Sequence, residues 1–195
     1  MIHMYLKRNK ELSVLSLYLR DYRRQFYLRE ISKFTKVALK TTQNITASLE
    51  KSNILRSKTN GKNKYFKLNL ENINTKFYLL QAEIHRTLLF LEKYPLFKTF
   101  MKELKTNTII VVFGSFAKFT ADKNSDVDML IISKEEQELP MHLLPYKVHD
   151  IKLTEESFKK SIESQEALIK EAEENHIIIN NHSLYVNSMW DFYGK

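Results

Sequence analysis

The chain has 195 residues and 23.2 kDa, with 31 Lys+Arg against 23 Asp+Glu and a formal charge of +8. Its 43% hydrophobic and 12% aromatic content can build the core of one ordinary domain or two small ones, unlike a disordered chain. Three glycines, three prolines and no cysteine exclude collagen, Gly-rich linkers, disulfide scaffolds, thiolate zinc sites and cysteine nucleophiles.

Up to Lys93 there are 19 basic and 7 acidic residues; from Tyr94 onward there are 12 and 16. This asymmetry predicts two functional regions, the first facing a polyanion. Met1 to Lys10 lacks the apolar core of a signal peptide, and the longest apolar run, Ile109 to Phe113, is too short to span a bilayer. A soluble cytoplasmic protein with no membrane partner is the expectation.

Glu11 to Arg20 predicts a helix through Leu12, Leu15 and Leu19, widened by Val14 and Leu17. Leu28 to Phe34 predicts a second and Ala38 to Lys51 a third, keyed by Ile45 and Leu49. Asn53 stands where a helix end takes left-handed geometry. Two strand-like runs, Ile54 to Arg56 and Lys64 to Leu68, flank a polar tip from Thr59 to Asn63 with Asn60-Gly61 inside it, a hairpin signal.

Three helices and a hairpin resemble a winged helix-turn-helix domain, assigned to residues 1–73. That resemblance implies DNA binding, with Lys40, Thr42, Gln43 and also Thr46 on the third helix, and the hairpin as the wing. Arg56, Lys58, Lys62, Lys64 and Lys67 on that hairpin have no acidic residue among them, a composition suited to phosphate contacts. Winged helices also serve as protein-interaction modules, which is the competing reading. Asn74 to Tyr94 predicts one long amphipathic helix through Phe77, Leu80, Ile84, Leu88 and Leu91, ended by Pro95. It forms the connecting segment, 74–97, and reads as a packing or homodimerisation helix.

Thr108 to Phe113 is a β-branched run of strand length, halted by Gly114-Ser115, and Ser125 to Ile132 predicts a second strand. Alternation puts Asp126 and Asp128 on one face, roughly 7 Å apart, where two carboxylates call for a hard cation. Gly114 and Ser115 offer backbone N–H groups and a hydroxyl to phosphate, and Lys118 adds a positive charge. Such a constellation suits a nucleoside triphosphate with magnesium.

Gly114-Ser115-x-Ala117-Lys118 followed by Ser125-Asp126-x-Asp128 resembles the signature of the DNA polymerase beta-like nucleotidyltransferases, most closely their minimal stand-alone domains. The resemblance covers 98–195 and implies an α+β fold: a winged helix followed by a mixed sheet packed with helices. It implies that Gly114, Ser115, Lys118 and Ser125 bind nucleotide, with ATP the first candidate. It also implies that Asp126, Asp128 and a third carboxylate hold two Mg2+ ions, the third acting as base. Asp150, in the strand-like run Tyr146 to Thr154, is the candidate for that third acid, with His149 expected on the opposite face. Phe119 stands where the family usually has Gly. Minimal relatives occur in toxin–antitoxin pairs, so a protein is as acceptable an acceptor or partner as a nucleic acid or an antibiotic. The alternative is a DNA-binding transcriptional regulator whose nucleotidyltransferase domain senses nucleotide or is idle.

Beyond this, Glu155 to Asn175 predicts one acidic helix capped by Thr154, burying Phe158, Ile162, Leu168 and Ile169. Ile177 to Ile179 and Ser183 to Tyr193 read as core, and His142, His149, His176 and His182 as structural.

Overall fold

A computed structural model describes residues 9–194. Most of the stretch read for a leader, Met1 to Lys10, lies outside them. No helix among the described residues is long and apolar enough to cross a membrane. Among the described residues two compact units form: those up to His85 together with those from Met189, and Arg86–Ser188.

In the first unit, helix α1 covers Lys10–Leu15, strand β1 Gln25–Tyr27, α2 Leu28–Thr35 and α3 Leu39–Lys51. The hairpin follows as β2, Leu55–Asn60, and β3, Asn63–Leu68. The helix predicted to Arg20 stops at Leu15 because Ser13 and Ser16 hydroxyls bond back to the carbonyls of Asn9 and Leu12, and the next amides tighten to i→i+3 bonds. Val14, Leu15, Tyr18, Leu19 and Tyr22 still bury together. Tyr22 stacks on Tyr193 at 5.0 Å, and Arg23 lies over the Phe192 and Tyr193 rings, which brings the last residues into this unit.

β1, too short to show in the sequence, pairs antiparallel with β3, giving a three-stranded sheet of order β1-β3-β2. The hairpin turn is tighter than predicted. Asn60 pairs with Asn63, so only Gly61 and Lys62 form the tip, with Gly61 at φ +58°. Asn53, at φ +59°, closes α3 with its own N–H to Glu50 O and the Ile54 N–H to Leu49 O, as expected of a left-handed cap.

Helix α4 runs Ile73–Lys93. Its predicted apolar stripe does not form the packed face: Phe77, Ile84 and Leu88 are exposed, as is Ile73. Thr75, Leu79, Ala82, Glu83, Thr87 and Phe90 are buried instead. Thr87 can take that face because its hydroxyl is bonded there, donating to Ile178 O at 2.8 Å.

The second unit continues with α5 (Phe97–Glu103), β4 (Ile109–Phe113), α6 (Gly114–Ala117), β5 (Val127–Ile132) and β6 (Val148–Leu153). It ends with α7 (Glu155–Glu163), α8 (Ala167–Glu174), β7 (Ile177–Asn180) and α9 (His182–Tyr193), whose last residues join the first unit. The mixed sheet has order β6-β5-β4-β7, with β5 parallel to β6 and β4 antiparallel to both its neighbours. Ile110, Val112, Val127, Met129, Ile131, Ile177 and Ile179 bury one face under an aromatic cluster of Phe90, Tyr94, Phe97 and Phe116. Phe90 and Phe97 meet edge to face at 4.7 Å.

The single helix predicted from Glu155 to Asn175 is two. Gln165 adopts φ +53°, its N–H bonding to Ile162 O and that of Glu166 to Ser161 O, a Schellman stop without glycine. Thr154 caps α7 by accepting from the Ser157 N–H.

Candidate active site

The apolar strand β4 delivers the chain to Gly114, which turns at φ +66° into α6. Across the sheet, Phe113 pairs with Asp128 of β5. A Cβ built on Gly114 would collide with Asp128 Oδ2 and stand 3.2 Å from its Cγ. Glycine is needed here twice over: for the left-handed turn, and to give the Asp128 carboxylate its room. Ser115 is half-buried, and its carbonyl accepts from the Thr120 and Ala121 N–H groups.

Asp126 and Asp128 lie on one face, both half-buried. The residue completing that group is His149. Parallel pairing sets Asp128 beside His149 and Met129 beside Asp150. His149 Nε2 is 3.6 Å from Asp126 Oδ2 and its Nδ1 is 3.7 Å from Asp128 Oδ1, while Lys147 Nζ is 3.8 Å from Asp126 Oδ2.

Asp150 is therefore not brought to the aspartate pair. Alternation turns it to the other face of β6, where it lines a cavity of about 710 Å³ with Ile131, Glu136, Leu139, Met141 and Lys152. A signal for this was present in the sequence. The polar–apolar–apolar series Asp128, Leu130, Ile132 has the same phase as His149, Ile151, Leu153, not as Asp150 and Lys152.

Lys118 caps α6 and stands 3.8 Å from Glu171 of α8. Ser125 is engaged in the turn before β5, donating to Asp122 Oδ1 and accepting from the Asp122 N–H. Phe119 occupies φ +59° directly after the α6 cap, with its N–H to Phe116 O and the Thr120 N–H to Ser115 O. This is the cap position where glycine is commonest. Phe119 is held there by stacking on Tyr94 at 6.4 Å and by the Lys93 ammonium, which donates to its carbonyl.

In the first unit Lys40, Gln43, Lys58 and Lys62 are exposed. Thr42 is fully buried, its hydroxyl bonding Val37 O and Ala38 O, so the core takes it, while Thr46, also buried, sits at the floor of the groove between α3 and the hairpin. Lys64 is paired with Glu50 at 2.7 Å, and Glu50 also accepts from the Ser57 hydroxyl. These bonds to Lys64 and then Ser57 hold the Glu50 carboxyl below its ordinary pKa. A groove of about 730 Å³ runs between α3 and the hairpin, bordered by Arg29, Gln43, Lys62 and Lys64.

Among the described residues no three His, Asp or Glu side chains converge as a ready-made metal site, because the imidazole lies between the two carboxylates with one nitrogen toward each. Two hard oxygen donors beside a cradle that a Cβ would fill nevertheless suit a divalent ion whose remaining ligands come from elsewhere.

The mixed α+β unit, with its helices and mixed sheet, fits a nucleotidyltransferase fold. Residues 95–184 match the nucleotidyltransferase domain family, a little under half of the chain. That stretch carries β4, Gly114, the aspartate pair and β6, and the match supports a transferase reading of the second unit. No curated protein and no solved structure matches the chain.

Proposed function

We propose that the protein moves a nucleoside monophosphate from a nucleoside triphosphate, ATP being the first candidate, to a hydroxyl acceptor. The observation that carries this reading is the fit of Asp128 against Gly114 inside the matched domain. Asp126 and Asp128 would hold a divalent ion, Mg2+ in the family's usual chemistry, which would neutralise phosphate charge when bound. Because Asp150 faces away, the two-ion expectation narrows to one ion on this pair. Ser115 contributes its hydroxyl, and the amides of the α6 turn contribute donors, to the triphosphate. The acceptor hydroxyl attacks the α-phosphorus, pyrophosphate leaves, and the hydroxyl proton passes to water. Incubation with α-³²P-ATP, a divalent salt and a panel of protein and nucleic-acid acceptors tests this. Wild type should transfer label and Asp126→Asn/Asp128→Asn should not; transfer by both would refute it.

The first unit is proposed to be a winged helix-turn-helix that binds DNA through Lys40 and Gln43 of α3 and Lys58 and Lys62 of the hairpin. A gel shift with the Lys58→Ala/Lys62→Ala variant tests it, the expected result being weaker, less salt-sensitive binding.

A second reading, a regulator that senses nucleotide without transferring it, is favoured by three placements. Asp150 is off the site, Lys118 is beside Glu171, and Phe119 holds the glycine position of the turn. Nucleotide binding without transfer to any acceptor, together with DNA binding that responds to nucleotide, would establish that reading over the first.

A further inference from the structure

We propose that α3 selects A·T base pairs in the major groove, with Gln43 and Asn44 addressing adenine and Leu39 and Ala47 the thymine methyl groups. The inference rests on the DNA-binding reading of the first unit and deepens it from DNA in general to a class of sequence. Its basis is the composition of one helix face. Leu39, Lys40, Gln43, Asn44, Ala47 and Ser48 are exposed, whereas Thr42, Thr46 and Leu49 are buried. The two sets separate at the helical period. Leu39, Gln43 and Ala47 stand four residues apart in one outward row, with Lys40 and Asn44 in the next. From Leu39 to Ala47 the row rises about 12 Å, the height of three or four base pairs at about 3.4 Å each.

Each base shows the major groove its own pattern. Adenine offers an acceptor at N7 and a donor at N6, which a carboxamide meets with its own donor and acceptor, and thymine offers a methyl group to an apolar side chain. Guanine offers two acceptors, best met by an arginine fork, and α3 contains no arginine. Lys40 is the one cation on this face ahead of the last residue, Lys51. Cytosine offers an amino donor, which calls for a carboxylate. The one acid of α3, Glu50, is committed to Lys64 Nζ at 2.7 Å and to the Ser57 hydroxyl. The face is thus furnished for both bases of an A·T pair and poorly for those of a G·C pair. Arg29 and Lys62 border the adjoining groove, where they suit phosphate rather than base edges.

The full chain is presented with a duplex library carrying a random core of about ten base pairs, at one fixed salt concentration. The enriched duplexes should share a run of about three or four A·T pairs. On the enriched duplex, uracil in place of thymine removes only the methyl and should weaken wild-type binding about threefold or more. 7-Deazaadenine in place of adenine removes the N7 acceptor and should weaken it about fivefold or more. Leu39→Ala should lose most of the first sensitivity and Gln43→Ala most of the second. No binding to any duplex would overturn the DNA-binding reading and this inference with it. Binding without enrichment, or enrichment of G·C cores, would overturn the inference and leave DNA binding standing. So would an A·T preference that ignores either base analogue, which would place the readout in duplex shape, or variants as sensitive as wild type.

Discussion

Gly114→Ala isolates what the site asks of its backbone. An L residue at φ +66° costs about 1–2 kcal/mol. The new Cβ meets Asp128 Oδ2, so the carboxylate must leave its rotamer at a further cost of about 0.5–1.5 kcal/mol. Reduced freedom of the unfolded chain returns about 0.4–1 kcal/mol, leaving a net loss of about 0.5–3 kcal/mol. Gly61→Ala is the matched control, since Gly61 has φ +58° but nothing within 4 Å of its built Cβ. It carries the backbone cost alone, about 0–1.5 kcal/mol after the same offset. Urea unfolding measures both, and Mn2+ binding measures whether Asp128 has moved. Gly114→Ala should be the more destabilised and should lose metal affinity, while Gly61→Ala binds as wild type. Equal destabilisation with unchanged metal binding in Gly114→Ala would refute the assignment of this glycine to the Asp128 carboxylate.

Gln165→Gly should stabilise the protein by about 0.5 kcal/mol, because an exposed side chain leaves a left-handed position. Phe119→Gly relieves the same strain but removes the stack on Tyr94, and should destabilise by about 1 kcal/mol in thermal unfolding. For Glu50 the folded carboxyl titrates below the unfolded one, so its contribution is present above pH 4.5 and fades as pH falls through the folded value. Glu50→Gln should flatten the acid limb of the stability curve by less than about 1 kcal/mol, measured by urea midpoints at pH values from about 3 to 6. In DNA titrations Lys58→Ala/Lys62→Ala should lower the slope of log K against log salt by about 0.9 for each phosphate no longer neutralised, while an unchanged slope would remove the wing from the interface.

How much of the fold and site is readable in the sequence depends on how local the signal is. β4 and β5 are continuous β-branched or apolar runs, and the Asp126–Asp128 spacing is set by strand period alone, so both are visible. The partner strand is visible as a strand, but which of its residues meets Asp128 is a matter of pairing register. A one-residue slip exchanges His149 for Asp150. Amphipathic period also misleads in α4 and α3, where Thr87 and Thr42 take the buried side. A threonine that finds a bonding partner in the core looks, in sequence, like a surface residue.

With only three glycines in the chain, left-handed backbone falls largely to other residues. Lys36, Asn53, Phe119, Gln165 and Asn181 all hold it. Asparagine tolerates that region through its short polar side chain, so Asn53 is recognisable as a helix stop. Lysine, glutamine and phenylalanine carry no such mark, and the break at Gln165 is hidden for that reason. At Lys36 and Gln165 the exposed side chain offers little packing to offset the strain. Phe119 differs, because the aromatic cluster around Tyr94 and Phe90 holds it. A bulky residue fixed in the turn that follows Gly114 and Ser115 trades the mobility glycine would give for a rigid, packed floor. The same turn carries the Ser115 carbonyl bonds to Thr120 and Ala121, so rigidity at Phe119 is rigidity at the proposed phosphate-binding segment.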